Sequence, residues 1–234
     1  MPGFTGWYGL TQLGRPKAGE TLVVAAATGP VGSMVGQMAK ARGLRTVAIA
    51  GGADKCALAL EKFGFDAAID HHAHENASSL RKAIAEAAPK GIDIYCENVG
   101  GKVFEAVLPL MNTFGRIPVC GMISAYNNKG ARSEGVTTLS NMIYNRVTMK
   151  GFVVYEFNHM RDQFLADMRQ WMARLDTLVI SSRTEGTPMI LLEAMYFSKA
   201  AVISRVAGSG MGWIVEQGIT GLKVPAESAS KLAD

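Results

Sequence analysis

The sequence predicts an α/β fold, a doubly wound parallel sheet covered by helices on both faces as a three-layer αβα sandwich. From residue 21 onward, short apolar runs alternate with amphipathic segments of helical period. Strict alternation of this kind implies βαβ units with right-handed crossovers. The runs are almost wholly apolar, as Leu22–Ala26 illustrates, which is typical of strands buried on both faces. A glycine-containing turn, Ala26–Gly32, joins the first run to the first helical segment.

The predicted elements follow in the order that βαβ units require. The strands are Thr21–Ala26, Arg45–Ala50, Ala67–Ile69, Ile92–Cys96, Gly115–Val119 and Thr148–Val154. The helices are Val31–Arg42, Asp54–Phe63, Ser78–Ala88, Lys102–Met111, Leu139–Arg146 and Asn158–Ala173. One long polar loop, Tyr126–Gly135, interrupts the series, and loops of that length often carry function.

The same rhythm continues after residue 175. Strands are predicted at Leu178–Ile180, Ala201–Ser204 and Gly221–Val224, with helices at Glu185–Phe197 and Met211–Gln217. No linker rich in Pro, Gly or Ser marks the junction. We therefore expect a domain over residues 1–175 and a βαβαβ fragment over 176–234 that continues the same sheet, a hybrid of two Rossmann-like fragments.

Composition excludes several classes of protein. The 234 residues are 48% hydrophobic and 19% charged, which is typical of a globular chain. The net charge of +4 comes from scattered Lys and Arg, whereas a nucleic-acid binder concentrates them on one face. The three cysteines, Cys56, Cys96 and Cys120, are far apart and indicate a reducing compartment. Without a signal peptide or a membrane-spanning apolar run, the expectation is a cytoplasmic protein with no membrane partner.

The turn after the first strand predicts a phosphate site. Backbone amides at the start of a helix, together with its positive end, attract a pyrophosphate. Gly29 would permit the tight turn, and Gly32 would permit close packing of helix on strand. The alternative is a tight βα turn without a ligand. In this strand–turn–helix setting we favour a dinucleotide site.

The end of the second strand favours NADP(H) over NAD(H). NAD binders usually place a carboxylate there to hold the ribose 2′-hydroxyl, and this chain has Gly51, Gly52 and Ala53. Lys55 follows and would attract a 2′-phosphate, the alternative being a solvated lysine. Asp54 is interpreted as a helix N-cap rather than as a ribose ligand.

Several motifs in register carry a family resemblance over residues 1–172. They are Met1–Leu10, Ala25–Gly32, Gly51–Cys56, Gly64–Asp70, Glu97–Gly101 and Pro118–Ser124. This set resembles the zinc-free medium-chain dehydrogenase/reductases of the NADPH-dependent alkenal, leukotriene and prostaglandin reductase group.

The resemblance implies a set of cofactor contacts. The predicted NADP(H)-binding residues are Thr28, Gly29, Pro30, Val31, Gly32, Gly52, Lys55, His71, Asn98, Cys120, Ile123, Ser124, Tyr126, Phe152 and Val154. His71 stands near a position where the family often has Tyr, and a protonated His would still attract phosphate. Family members reduce the activated C=C bond of enals and enones. Much of their catalytic apparatus lies upstream of this domain, so we expect cofactor binding without efficient catalysis, and we assign no catalytic residue.

The C-terminal stretch resembles a different family. Ser182–Met195, Ser204–Gly210 and Gly218–Pro225 are similar to the donor-site region of retaining GT-B glycosyltransferases. That resemblance implies that Glu185 contacts a donor sugar and Glu193 a nucleotide ribose. The chain thus reads as a chimera of a reductase domain and a glycosyltransferase fragment.

Other constellations receive plainer interpretations. His71, His72 and His74 with Glu75 lie in a polar turn, where solvated histidines are commoner than a metal cluster, and we predict no metal. Cys120 is interpreted as a small buried hydrophobe. Three functions stay open: an NADP(H)-binding domain, a nucleotide-sugar-binding fragment, and a scaffold with no ligand. A homodimer is expected through sheet surface left exposed.

Overall fold

The structure, a computed structural model, describes residues 1–126, 135–172, 177–180, 189–196, 198–205 and 210–225. Most of the predicted loop Tyr126–Gly135 lies outside these residues. The chain divides into two compact units, Met1–Asn158 and His159–Asp234. The predicted boundary was residue 175. The difference arises because the last long helix of the first half, residues 161–172, groups with the second unit.

The first unit contains a six-stranded sheet. Its strands are β1 (Thr21–Ala25), β2 (Arg45–Ala50), β3 (Ala67–Asp70), β4 (Ile92–Cys96), β5 (Met111–Val119) and β6 (Thr148–Gly151). All neighbours are parallel, and their order is β3-β2-β1-β4-β5-β6. This is the doubly wound order of a dinucleotide-binding fold and confirms the predicted fold class.

Helices precede and connect these strands. They are α1 (Pro2–Tyr8), α2 (Pro30–Ala41), α3 (Ala53–Glu61), α4 (Ala77–Ala87), α5 (Gly101–Val107), α6 (Ile123–Tyr126) and α7 (Ser140–Tyr144). A π-helix follows α1 over Gly9–Gly14, and 3-10 turns occupy His71–Ala73, Leu108–Leu110 and Val154–Met160.

Both faces of the central strand β1 are buried. Along β1, Val23 and Ala25 belong to a core cluster shared with Leu80 and Ile84 of α4 and with α5. Since side chains alternate along a strand, the equally buried Leu22 and Val24 face the other side. This explains why the strand is apolar at every position from Leu22 to Ala25.

Three local expectations were wrong. The predicted helix to Met111 stops at Val107, and Met111 begins β5, because the strand pairs with Ile92 and starts four residues earlier than expected. The strand predicted to Val154 ends at Gly151, and Val154 opens a 3-10 turn in which it is buried. Asp54 is not the N-cap of α3, since Gly52 takes that position and Asp54 lies in the first turn.

The second unit begins with α8 (Arg161–Met172) and contains a three-stranded parallel sheet. The strands are β7 (Thr177–Ile180), β8 (Ala200–Arg205) and β9 (Gly221–Pro225), in the order β7-β8-β9, with helices α9 (Met189–Tyr196) and α10 (Met211–Ile214) between them. The expectation that these strands continue the first sheet was wrong. They pair with one another over their own core of Ile180, Leu191, Ala201, Ile203, Met211 and Val215, and apolar pattern alone does not specify which edge a strand joins.

Candidate functional site

The strand order of the first unit reverses between β1 and β4. These two strands are hydrogen-bonded neighbours, with Val24 opposite Cys96 near their carboxyl ends. In open α/β sheets, ligands bind outside the carboxyl ends of the strands at such a switch point. The site is therefore sought in the turns that follow β1 and β4 and in those beside them.

The turn after β1 is shaped for close approach of a ligand. Ala26 adopts a positive φ of 50°, and its carbonyl accepts the amide N–H of Gly29 at 2.9 Å. A Cβ placed on Gly32 would lie 2.4 Å from the Ala26 carbonyl oxygen and 2.8 Å from the Ala27 Cα. Only glycine fits there, because both neighbours are backbone atoms.

Helix α2 starts at this turn without a side-chain cap. Gly29 is the N-cap residue and Pro30 follows in the first turn. The first N–H groups of a helix have no partner within the helix, so Val31 and Gly32 present amides at its positive end. Thr28, half-buried, precedes this start. The consecutive residues Thr28 to Gly32 thus form the turn and helix start where the phosphate site is predicted.

The turn after β4 is fastened to β1 and β5. The Asn98 side-chain amide donates to the Ala25 carbonyl at 2.9 Å and so bridges the two strands of the switch point. The Asn98 carbonyl accepts the N–H of Ile123 at 3.1 Å, and the Val99 carbonyl accepts the N–H of Ser124 at 3.0 Å. These contacts bring the predicted residues Asn98, Ile123 and Ser124 to one edge.

Glu97 anchors this turn, and it is not among the predicted cofactor-binding residues. Its side chain is 1% exposed and accepts hydrogen bonds from the N–H groups of Val99 and Gly100 and from the Tyr95 hydroxyl. Burial raises the pKa of the carboxyl, and these hydrogen bonds oppose the rise. Its position in the sequence, a charged residue directly after the apolar strand β4, was the signal that could have identified it.

Cys120 and Phe152 lie together against the N-terminal segment. A Cβ placed on Gly9 would lie 3.3 Å from the Cys120 Sγ and 3.3 Å from the Phe152 ring. The Tyr8 ring lies 5.1 Å from that of Phe152. Burial and the nearby charge of Glu97 raise the pKa of the Cys120 thiol to about 12, so it is a poor nucleophile. The contribution of Tyr8 and Gly9 was missed because no strand precedes them.

Helix α6 forms the outer wall of this edge. Ile123 and Tyr126 are exposed at 58% and 69%. The Tyr126 hydroxyl accepts the N–H of Met122 at 3.0 Å, which turns the ring back onto its own loop. Val154 opens a 3-10 turn instead of ending a strand, and its side chain is buried.

The remaining predicted residues lie at the ends of β2 and β3. Gly52 adopts a positive φ of 99° and its N–H donates to Asp70 Oδ1 at 2.8 Å. Lys55 is exposed in the first turn of α3. The imidazole of His71 is half-buried beside this turn, and burial lowers its pKa, as does the positive charge nearby. Lys55, Gly52 and His71 therefore form one basic end of the site.

No group of three His, Cys, Asp or Glu in the described part of the chain could hold a metal ion. Among the helices that the structure describes, none has the length and apolar character needed to cross a membrane.

The chain is similar in sequence and structure to several proteins described as reductases. The chain is 46% identical over 218 residues to the NADPH-dependent curcumin reductase of Escherichia coli, covering 89% of this chain and 61% of that protein. It is 41% identical to prostaglandin reductase 1 of Bos taurus, over 80% of this chain and 55% of that protein. The crystal structure of CurA in complex with NADPH from Vibrio vulnificus is 37% identical, with a TM-score of 0.68, over 97% of this chain and 63% of that one. The chain thus spans about half to three fifths of these relatives.

Two family models match overlapping parts of the chain. The model for glycosyl transferases group 1 matches residues 119–234, so it begins well before the predicted junction at 175. The reductase match, at 89% of the chain, runs past that junction. The model for zinc-binding dehydrogenases matches residues 30–173. Together with the reductase relatives, this match confirms the resemblance seen in the sequence, and the chain belongs to the zinc-binding dehydrogenase family.

Proposed function

We propose that the first unit binds NADP(H) across the carboxyl edge of its six-stranded sheet. The observation that carries this proposal is the cradle after β1, where Gly32 leaves no room for a Cβ beneath the uncapped start of α2. A pyrophosphate there would be held by the amides of Val31 and Gly32 and by the positive helix end.

The charges at the ends of β2 and β3 support NADP(H) rather than NAD(H). No carboxylate follows β2 directly, and the Lys55 ammonium stands one turn into α3. The carboxylate of Asp70, at the end of β3, already accepts the N–H groups of Gly52 and His72 at 2.8 and 2.9 Å. A 2′-phosphate would thus meet Lys55 and His71 as its nearest side-chain partners.

The nicotinamide end of the cofactor would be surrounded by Asn98, Cys120, Ile123, Ser124, Tyr126 and Phe152. Bound NADPH supplies a hydride, and the relatives' names include curcumin, prostaglandin and 2-alkenal reductases. We therefore propose reduction of an activated C=C bond in enals or enones as the reaction this unit serves. The chain's own contribution is orientation: the Asn98 bridge and the Cys120–Phe152 wall fix where the ring would lie.

Titration with NADPH and NADH, followed by nicotinamide fluorescence, tests the cofactor proposal. We expect saturable binding that prefers NADPH and is weakened about tenfold by Lys55→Ala, as for loss of one charge-assisted contact. Lys62→Ala, at the other end of α3, is the matched control and should bind like the unaltered protein. A folded protein that binds neither nucleotide would reject the proposal.

The match to glycosyl transferases group 1 supports a second candidate, in which residues 176–234 bind a nucleotide sugar. Glu185 lies outside the described residues, and Glu193 is part of α9. Titration with UDP- and GDP-sugars tests this, with Glu193→Gln as the variant. A folded protein that binds neither NADPH nor a nucleotide sugar would favour the ligand-free scaffold.

The chimeric origin, the homodimer and the cytoplasmic location stay predictions.

A further inference from the structure

A pair of imidazoles, His71 and His72, covers the backbone of Gly51 at the end of β2. A Cβ placed on Gly51 would lie 2.8 Å from Cε1 and 3.0 Å from Nε2 of His72, and 3.2 Å from Nε2 of His71. The two rings meet edge to face, with centroids 4.3 Å apart. Gly51 precedes the turn that carries Gly52 and Lys55, so both rings lie where the proposed 2′-phosphate would be held.

Hydrogen bonds from three elements hold the pair in place. Asp70 Oδ1 accepts the N–H groups of both Gly52 and His72, which ties the turn after β2 to the turn after β3. The Lys102 ammonium of α5 donates to the carbonyls of His71 and His74, at 2.9 Å for His71. The rings are therefore presented by a braced turn rather than by a free loop.

The charges around the pair are mixed. Burial is the main cause that lowers the pKa of His71, and the charges of His72, Lys102 and Lys55 lower it further, while Asp70 opposes them. Cys56, in the first turn of α3, has its thiol pKa raised by burial and by the charge of Asp70, so the thiol stays neutral across the physiological range. Without a ligand, His71 is accordingly held in its neutral form near pH 7.

A phosphate dianion beside these rings would reverse that balance, since an opposite charge within hydrogen-bond distance favours the charged imidazole. We propose that His71 and His72 together form a proton-coupled clamp for the 2′-phosphate, so that NADP(H) binding takes up a proton and the preference for NADP(H) over NAD(H) weakens as pH rises. This inference rests on the proposed cofactor function. It adds His72 as a second phosphate ligand and the uptake of a proton on binding.

Proton uptake on binding makes the affinity for NADPH depend on pH. In the pH range where the bound imidazole is protonated and the free one is not, each proton taken up weakens binding by up to about tenfold per pH unit of increase. We expect the Kd for NADPH to rise about three- to tenfold between pH 6.5 and pH 8. The Kd for NADH, which lacks the 2′-phosphate, should change less than about twofold over the same range.

The test compares the unaltered protein with H71Q/H72Q. Glutamine keeps a hydrogen-bond donor but does not titrate, so the double variant should lose the pH dependence while Lys55 preserves part of the NADPH preference. His74→Gln is the matched control, since it removes a third imidazole from the same turn. Working above pH 6.5 limits the contribution of the phosphate's own ionisation, which occurs near pH 6, and that contribution is common to all variants.

Calorimetry in two buffers of different ionisation enthalpy measures the proton directly, and NMR titration of the imidazole C2–H signals assigns it without any variant. Net proton uptake, with imidazole midpoints that rise when NADPH binds, is the expected result. NADPH binding with the same pH slope in H71Q/H72Q, or with unmoved midpoints, would overturn the clamp and leave the proposed cofactor function standing. Failure of NADPH to bind at any pH would overturn both.

Discussion

At the scale of single residues, the site depends on positions where backbone atoms approach closely. Gly32 has no space for a Cβ, and Ala26 beside it holds a left-handed backbone. Such conformations are uncommon for residues other than glycine and persist where the surroundings enforce them. Here the Ala26 carbonyl accepts the Gly29 N–H, so the turn is held by its own hydrogen bond.

Replacing Gly32 with alanine should therefore abolish the cradle. The added methyl group would meet two backbone atoms that cannot rotate away, so α2 would have to move off β1. We expect destabilisation of about 1–3 kcal/mol and loss of NADPH binding, measured by urea unfolding and fluorescence titration. Gly212→Ala, where a Cβ meets nothing within 4 Å, is the control. Unchanged binding by Gly32→Ala would contradict the cradle.

Glu97 gives a second prediction at this scale. Because burial raises its pKa in the folded protein, the folded state binds the proton more tightly than the unfolded one. Its contribution to the free energy of unfolding is therefore fully present below the unfolded pKa and is lost as pH rises through the folded value. We expect the stability of the unaltered protein relative to Glu97→Gln to fall between pH 4.5 and neutrality. A difference independent of pH would show that folding does not shift the pKa of the Glu97 carboxyl.

At the scale of elements, the site is assembled by turns that lock neighbouring strands. The Asn98 amide joins the end of β4 to the carbonyl of Ala25 at the end of β1. A backbone hydrogen bond joins the turn after β5 to the turn after β4, since the Cys120 N–H donates to the Glu97 carbonyl at 2.9 Å. The edge of the sheet is thus pre-formed by protein contacts alone.

Asn98→Asp tests this bridge with little change in shape. It replaces the donor that faces the Ala25 carbonyl with a second acceptor, so a hydrogen bond becomes a repulsion. We expect about 1–3 kcal/mol of destabilisation by urea unfolding, larger than for Asn98→Ala. Equal stability of the aspartate variant would mean that the bridge contributes nothing.

Arg116 joins β5 to the segment before β1. Its Nε donates to the Gly14 carbonyl at 2.8 Å and its Nη2 to Glu20 Oε2 at 2.6 Å, with both charged side chains less than a fifth exposed. Arg116→Met would leave Glu20 without this partner, and we expect a loss of about 2–3 kcal/mol in thermal or urea unfolding. Lys150→Gln, exposed on β6, should have little effect. A neutral result for Arg116→Met would indicate a solvated pair.

At the scale of the whole molecule, the chain consists of two units, each with its own parallel sheet and core. A ligand that binds one folded unit stabilises that unit by mass action, and regions that are not coupled to it gain nothing. The response of each sheet to a cofactor can therefore be measured separately.

Hydrogen exchange with and without NADPH should show this separation. We expect slower amide exchange in residues 26–33, 51–55 and 97–101, which line the cradle and its neighbours. Exchange in β8 and β9 should be unchanged, as read by mass spectrometry of peptides from each sheet. Protection that appears in β8 or β9 would show that the two units respond to the cofactor together.

The sequence determined the class of fold and most of the candidate site, for a physical reason. Parallel strands buried on both faces must be continuously apolar, and a turn that brings backbone close to a phosphate must contain glycine, so both leave a local trace in the chain. Val23 to Ala25 and Gly29 to Gly32 are such traces. The family resemblance that Glu97–Gly101 and Pro118–Ser124 help to carry implied Asn98, Cys120 and Ser124 as site residues.

Only the tertiary structure decided which elements meet. Three features depend on contacts between residues far apart in sequence. They are the pairing of β7, β8 and β9 with one another, the start of β5 at Met111, and the approach of Tyr8 and Gly9 to Phe152. An apolar run carries the same local pattern whichever strand or edge it joins, because its side chains alternate with period two in either case. The placement of His72 over Gly51 is of the same kind, since it required β2 and β3 to end side by side.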